Sequence, residues 1–467
     1  MEEPLESFFD PETLALVQRY EDMVMMGQYY FFDVEDFEDI IEYYFFKDDL
    51  PKAHRCLTLA LDQHPCCINL LLKQAQYFIN TDQFEEALGT LSEIGQTELP
   101  DQEVHFAKGN LYSQLEKPEK AVEEFKLALG GSENADEIYS SIAFEYENLG
   151  KYDKAIDYLL KAIEADPEND AVLYELSFCF EVSQKTDESV IFLLEFLDHH
   201  PYSKAAWFNL GIAYSNQEQY EKAIDAYDFV IAIDEAFASA YFNKANCFAN
   251  LNQFDKAIET YFETFYYEEP EPITFYYIAE CYEKLRQFEH SLDYYKKAIA
   301  LDPEFADAWL GIGISYDELG KPQTALPYLK KAIKLTPTIP EYWFILGDVQ
   351  IKLAKIEEGI ISYRKVIELD PEDPEIWLDL SVVYADLKDF DTAHATLSEG
   401  LHWHEKHPDF YYGMAYYLYM SGKAREANET LSKALLMDYD GYKRLFKTFP
   451  DAKNHPAVVE IIEAFKH

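Results

Sequence analysis

Between residues 306 and 339 the large residues Trp309, Ile312 and Tyr316 fall at i, i+3 and i+7, the one-sided stripe of an amphipathic helix. After Leu319-Gly320-Lys321 a second stripe follows through Ala325, Leu329 and Ala332, and the segment ends at Thr336-Pro337. The pattern predicts two helices joined by a tight turn. Gly320 suits the left-handed end of the first helix. Pro337 stops the second, because proline disfavours α geometry in the residue before it.

The same pattern returns every 34 residues. Stepping from Trp207, its place is taken by Tyr241, Phe275, Trp309, Trp343, Trp377 and Tyr411 forward, and by Leu173, Tyr139, His105, Leu71 and Phe37 backward. Ala223 is likewise replaced by Ala257, Ser291, Ala325, Gly359, Ala393 and Ala427, and by Ser189, Ala155, Ala121, Ala87 and Ala53. Small residues here let the second helix cross closely over the first. Proline turns recur at His64-Pro65, Asp166-Pro167, His200-Pro201, Asp302-Pro303 and Asp370-Pro371. Twelve units tile residues 34–441 without insertion or deletion, 408 of the 467 residues. Residues 34, 68, 102 and so on are position 1 of their units.

The W-x2-LG-x2-Y, A-x3-Y/F, A and P positions at this period resemble the tetratricopeptide repeat. Unit 306–339 carries Trp309, Gly313, Tyr316, Ala325, Ala332 and Pro337 in those places. Units 34–67 and 68–101 depart from the pattern, lacking the small Gly/Ala of the LG position (Ile41) or the aromatic (Leu71), and Lys108 and Lys244 replace the usual leucine. The resemblance implies an all-α fold, a right-handed α-α superhelical solenoid of about twelve helix-turn-helix repeats. The ends read as caps. Residues 1–33 form a half-repeat that starts at Asp10-Pro11-Glu12 and places Met23 and Met26 on core positions. Residues 442–467 form the other cap, with Ile461 and Phe465 in frame after Phe449-Pro450.

Composition narrows the function. There are 39 Lys+Arg against 88 Asp+Glu, a net charge of −49. Such a field repels phosphate backbones and anionic membrane surfaces and attracts basic partners, although acidic outer faces also keep a long solenoid soluble. Nucleic-acid binding is excluded on this ground, and a peptide-sensing transcription factor fits poorly because neither end supplies a basic DNA-binding domain. No 18-residue apolar run predicts membrane insertion. The acidic start lacks the basic, apolar pattern of a secretory signal. Six cysteines without regular spacing point to a reducing cytoplasm. Cys179, Cys247 and Cys281 share one position and read as small core residues, whereas Cys66-Cys67 falls in a turn.

Few residues suggest chemistry. His402-Trp403-His404-Glu405-Lys406-His407 places three candidate metal ligands at a second-helix C-terminus, where histidine also complements the helix dipole. The spacing from Glu405 to His407 is one residue short of the metalloprotease motif. Gly311-Ile312-Gly313 lies mid-helix with no preceding strand, and Leu319-Gly320-Lys321 lacks the other residues of a phosphate loop. No enzyme activity and no cofactor are expected.

In tetratricopeptide-like stacks the first helices line a concave groove, and the resemblance implies that positions 5 and 9 point into it. These are Glu38 and Glu42, Leu72 and Gln76, Phe106 and Asn110, Ser140 and Phe144, Tyr174 and Phe178, Phe208 and Ile212. They continue as Phe242 and Asn246, Tyr276 and Glu280, Leu310 and Ile314, Phe344 and Asp348, Leu378 and Val382, Tyr412 and Tyr416. None is Lys or Arg, which disfavours a lysine-based clamp for a partner's C-terminal carboxylate. Asn209 and Asn243, one position along, are placed to hydrogen-bond an extended peptide backbone. Some of the aromatics are expected to pack on the neighbouring unit's first helix. The expected function is a non-catalytic protein-interaction scaffold, binding an extended or helical apolar and basic segment in an acidic, aromatic groove. The alternatives are a self-assembling structural solenoid, or metal binding through His402, His404 and His407.

Overall fold

The computed structural model describes residues 11–94, 102–130 and 134–466, which divide into two compact units, one ending at Glu235 and the other beginning at Ala236. Asp10 and the end of the 68–101 repeat lie outside the described residues. Among the described residues all regular structure is helical, an α solenoid of consecutive helical hairpins.

The first unit opens with α1 (Pro11–Met26). Hairpins follow as α2 (Val34–Phe46) with α3 (Leu50–Gln63), α4 (Ile68–Asn80) with α5 (Phe84–Ile94), and α6 (Gln102–Gln114) with α7 (Pro118–Ala128). Then come α8 (Ala135–Asn148) with α9 (Tyr152–Ala165), α10 (Asp170–Val182) with α11 (Thr186–His199), and α12 (Lys204–Asn216) with α13 (Tyr220–Ile233).

The second unit holds α14 (Ala238–Asn250) with α15 (Phe254–Thr264), α16 (Pro272–Lys284) with α17 (Phe288–Leu301), and α18 (Ala306–Glu318) with α19 (Pro322–Leu335). It continues through α20 (Pro340–Lys352) with α21 (Ile356–Leu369), α22 (Pro374–Asp386) with α23 (Phe390–Gly400), and α24 (Pro408–Met420) with α25 (Ala424–Met437). Two shorter helices, α26 (Tyr442–Thr448) and α27 (Pro456–Ala464), end it.

Each hairpin turns at the same place, position 15, through a residue of positive φ. Three of these are Gly150, Gly320 and Gly422, but the others are Asp48, Asp82, Glu116, Gln184, Glu218, Asn252, Arg286, Ala354 and Lys388. The hydrogen bonds show why. At Ala354 (φ 57) the N–H bonds the Ile351 carbonyl and the next N–H, of Lys355, bonds the Gln350 carbonyl, each at 2.9 Å. That pair satisfies the last carbonyls of α20 only when the residue past the helix end is left-handed.

The crossing within a hairpin depends on its small residues. Ala53, Ala87, Ala121, Ala155, Ala223, Ala257, Ser291, Ala325, Ala393 and Ala427 at position 20 are all fully buried. Where Ser291 takes this position its hydroxyl finds a partner, Ser315, at 2.9 Å across the buried contact. Successive hairpins are pinned by a second device. The indole Nε1 of Trp207, Trp309, Trp343 and Trp377 donates to the carbonyl of Pro201, Pro303, Pro337 and Pro371, six residues earlier, at 2.9–3.0 Å. Tyr411 makes the same link to the Glu405 carbonyl. The proline therefore ends one helix and, through its carbonyl, seats the aromatic of the next.

The caps differ from expectation in two details. In α1, Val17, Tyr20 and Met23 are buried but Met26 is 63% exposed. Steps of three drift against a period of 3.6, so the fourth member leaves the buried face. At the other end α26 and a 310 turn (Pro450–Asn454) precede α27, where Val458 and Ile462 are the buried residues and Ile461 and Phe465 are half-buried. Phe449, between α26 and that turn, stacks on Tyr416 with ring centroids 4.2 Å apart and planes 15° apart. No helix among the described residues is long and apolar enough to cross a membrane.

Candidate partner-binding surface

Positions 5 and 9 lie on the first helix of each hairpin, and the structure gives them different roles. The ring at position 5 packs on the ring nineteen residues later, on its own second helix. Phe106–Phe125, Phe208–Tyr227, Phe242–Tyr261, Tyr276–Tyr295 and Phe344–Tyr363 are separated by 5.6, 5.8, 5.7, 5.7 and 5.7 Å. All five rings meet their own hairpin, and two also pack on a neighbouring unit's first helix as expected: Phe208 on Tyr174 of α10 at 6.3 Å and Phe242 on Tyr277 of α16 at 5.8 Å. The aromatic at i+19 was a readable signal for the contact within the hairpin. Tyr174 has Leu193 in that place and stays 37% exposed.

Position 9 divides by chemistry. Phe144 and Phe178, at 49% and 51% exposure, present their rings outward. Asn246 and Asp348 instead accept hydrogen bonds from the hydroxyls of Tyr261 and Tyr363, so the second-helix tyrosine braces both positions 5 and 9. Asn110 is partly exposed on α6. Of the two asparagines one position along, Asn209 is engaged within the fold. Asn209 is 2% exposed and its amide donates to the Leu173 carbonyl at 3.0 Å, tying α12 to α10. Asn243 donates to Ser239 on its own helix at 2.9 Å.

The electrostatics extend beyond these positions. Burial raises the Glu280 carboxyl above its ordinary range, offset by Lys284 and reinforced by Asp307. Burial raises Glu283 too, against a hydrogen bond from the Tyr295 hydroxyl at 3.0 Å. Asp348 is raised by burial, while Tyr363 and Lys352 lower it. Asp379 on α22 is pushed up to about 6 by burial and by the nearby charges of Asp348, Glu375 and Asp373. In the first unit burial raises both Glu147 and Glu175, the Glu175 charge raises Glu147 further, and the Cys179 thiol donates to Glu147 Oε1 at 3.3 Å. Glu175 and Asp379 stand at position 6, Glu147 and Glu283 at position 12. Both positions lie three residues from position 9, on the same helix face, so the acids were legible as an extension of the expected groove. The same surfaces hold lysines that positions 5 and 9 lack: Lys73 pairs with Glu42, and Lys352 with Asp317.

The remaining candidates fall apart or into the core. The histidine cluster lies in the turn beyond α23, which ends at Gly400, and not on the helix end itself. His402 is exposed, whereas His404 and His407 sit 6.1 Å apart with their rings against Phe410. Among the described residues no three His, Cys, Asp or Glu side chains gather as a metal site, so the three histidines are withdrawn as candidate ligands. Burial lowers His407, in keeping with its packing role. Cys179, Cys247 and Cys281 are buried at position 10, burial pushing the Cys281 thiol up to about 12, while Cys66 is exposed in its turn.

Comparisons with known proteins agree with the frame. Models described as tetratricopeptide repeat match residues 102–130, 137–169, 205–237, 238–261, 272–305, 294–326 and 356–411. The fold is similar to the C-terminal part of a repeat-containing protein of this class from Cytophaga hutchinsonii, at 20% identity over 52% of this chain and 99% of that one (TM-score 0.45). A tetratricopeptide repeat protein from Parabacteroides merdae aligns at 16% identity over 50% and 93% (TM-score 0.41). A chain of the APC/C hetero-tetramer Cut9-Hcn1 aligns at 15% identity over 96% and 92% (TM-score 0.39). No curated protein sequence matches the chain significantly. The 34-residue frame, the helical hairpins that obey it and the repeat models that match along it place the chain in the tetratricopeptide repeat family.

Proposed function

We propose that the chain is a non-catalytic protein-interaction scaffold that holds an extended or helical segment, apolar with Lys or Arg, against the inner first helices. Tetratricopeptide repeat proteins are in general scaffolds for other proteins. One observation carries the finer reading: apolar rings stand exposed beside carboxyls that burial has raised, as with Phe178 near Glu175. Exposed rings favour apolar anchors, and desolvated acids favour a cation that restores their charge. Tyr174, Phe178, Glu280 and Asp348 are the proposed contacts, with Phe106, Phe208, Phe242, Tyr276 and Phe344 as the rings that shape the surface behind them. The six cysteines, none of them in a disulfide among the described residues, favour a reducing, cytoplasmic setting.

Site-specific photo-crosslinking in the native cell tests this. A crosslinking residue at Phe178 or Asp348, on first helices, is expected to capture the partner, and one at Ile191 or Ile361, exposed on second helices, is not. Capture only from the second helices would reverse the assignment. Affinity should also fall as salt rises.

Self-association is the second reading. The end of α1 and its connection to α2 expose Met25, Met26, Tyr29 and Phe31 at 80, 63, 68 and 61%, an apolar group that a second copy could cover. Light scattering that shows a monomer at every concentration removes it.

A further inference from the structure

One inner face combines exposed apolar surface with an unneutralised acid pair. On α10, Tyr174, Phe178 and Val182 follow at i, i+4 and i+8, one stripe of the helix, and all three are exposed, as is Phe144 on α8. Soluble proteins seldom leave a contiguous apolar stripe uncovered. Next to it, between α10, α11 and α12, opens a cavity of about 190 Å3 lined by Tyr174, Phe178, Thr186, Asn209 and Ile212 among others. Its floor is firm, because Asn209 is fixed to the Leu173 carbonyl and Phe208 meets Tyr174 edge-on at 6.3 Å.

Glu147 and Glu175 sit in the same face. Burial raises both carboxyls above their ordinary range, so a nearby cation would favour their ionised forms. Among the described residues the groups that act on them are each other and the Cys179 thiol, with no Lys or Arg. The pair therefore lacks a counter-charge that a partner can bring.

We infer that the α8–α10–α12 face docks a partner segment that inserts one Lys or Arg between Glu147 and Glu175 and lays apolar side chains over Phe144, Phe178 and the adjoining cavity. This rests on the inner-face reading of the function and fixes its place and its chemistry. A second copy of this chain is a poor occupant, since each copy carries a net charge of −49. The incoming cation favours the ionised form of both carboxyls, and any proton they hold leaves to solvent. Binding is then linked to proton release and tightens as pH rises above the ordinary carboxylate range.

The test selects peptides from a displayed random 12-residue library on the full chain, followed by titration of the synthetic peptides. Selected sequences are expected to pair Lys or Arg with aromatic or aliphatic residues. Phe144→Ser with Phe178→Ser should weaken them about tenfold or more. Both positions are half-exposed, so melting should hold. If that variant melts early, Glu147→Gln with Glu175→Gln, near-isosteric, carries the test. It should abolish both the preference for Lys over norleucine and the pH dependence. Binding unaffected by either pair but lost on Phe344→Ser with Asp348→Asn overturns this site and leaves the inner-face reading standing. Binding that survives all three overturns both, and a library that yields no binder overturns the inference.

Discussion

Gly347 of α20 lies so close to the ring of Tyr363 on α21 that a Cβ at that position would stand 2.6 Å from ring atoms Cδ1 and Cε1. The ring cannot retreat, because its hydroxyl donates to Asp348 and its face stacks on Phe344. Gly347→Ala is therefore expected to destabilise by about 2 kcal/mol in urea unfolding. Gly89→Ala on α5 is the counter-case. Its added Cβ meets nothing within 4 Å, and the change should stabilise by about 0.5–1 kcal/mol. Equal effects at the two sites would show that helix crossing does not set the glycine.

The tryptophan clasp makes a separate prediction. Trp309→Phe keeps a ring in place but removes the donor that holds the Pro303 carbonyl at 2.9 Å. A loss of about 1 kcal/mol is expected. Trp343→Phe should lose a similar amount, since its bond to Pro337 has the same length. A thermal melt unchanged in both variants would reduce the clasp to a geometric coincidence.

The hairpin turns predict gains. At Ala354 a side chain is held at φ 57, a conformation that costs a non-glycine residue about 1–2 kcal/mol. Ala354→Gly should raise the melting temperature, and Gly320→Ala, at φ 70, should lower it. Nothing else need change, because both turns face solvent. The same sign in both variants would refute the strain argument.

Acidic residues on the first helices predict an unusual pH dependence. Asp379 has a folded-state pKa of about 6, above the value near 3.9 of an unfolded aspartate. The native chain thus binds the extra proton between about pH 4 and 6, and this site's contribution to stability falls as pH rises through that window. Asp379→Asn should stabilise at pH 7 by about 1 kcal/mol, a figure reduced for partial exposure, and should change little at pH 4. Urea titrations at the two pH values decide it; a larger gain at pH 4 would invert the expected sign.

The architecture was legible because no insertion interrupts the frame: Trp207, Trp309 and Ala223 announce their counterparts at every step. The features that the residue types do not betray are set by backbone and neighbours. Ala354 and Lys388 give no sign of a left-handed turn, since the hydrogen bonds at the helix end impose it whatever the side chain. Phe344 and Phe178 look equivalent as first-helix aromatics, yet Tyr363 covers the first and the second stays open. Asn209 suits a peptide backbone by residue type, but the nearby Leu173 carbonyl claims its amide. The acids Glu147, Glu175 and Asp379 lay in plain view. Only burial distinguishes them from the many that solvent keeps ordinary.

The stack of Phe449 on Tyr416 has a further meaning for the second unit. Tyr416 holds the last position 9, where a guest's aromatic side chain would rest, and the chain's own C-terminal segment already rests there. On the function proposed above, that stack is a resident example of the recognition mode, and a segment lying along α20 and α22 would meet Phe449 at α24. Guests would then share a fixed end, and with it a direction.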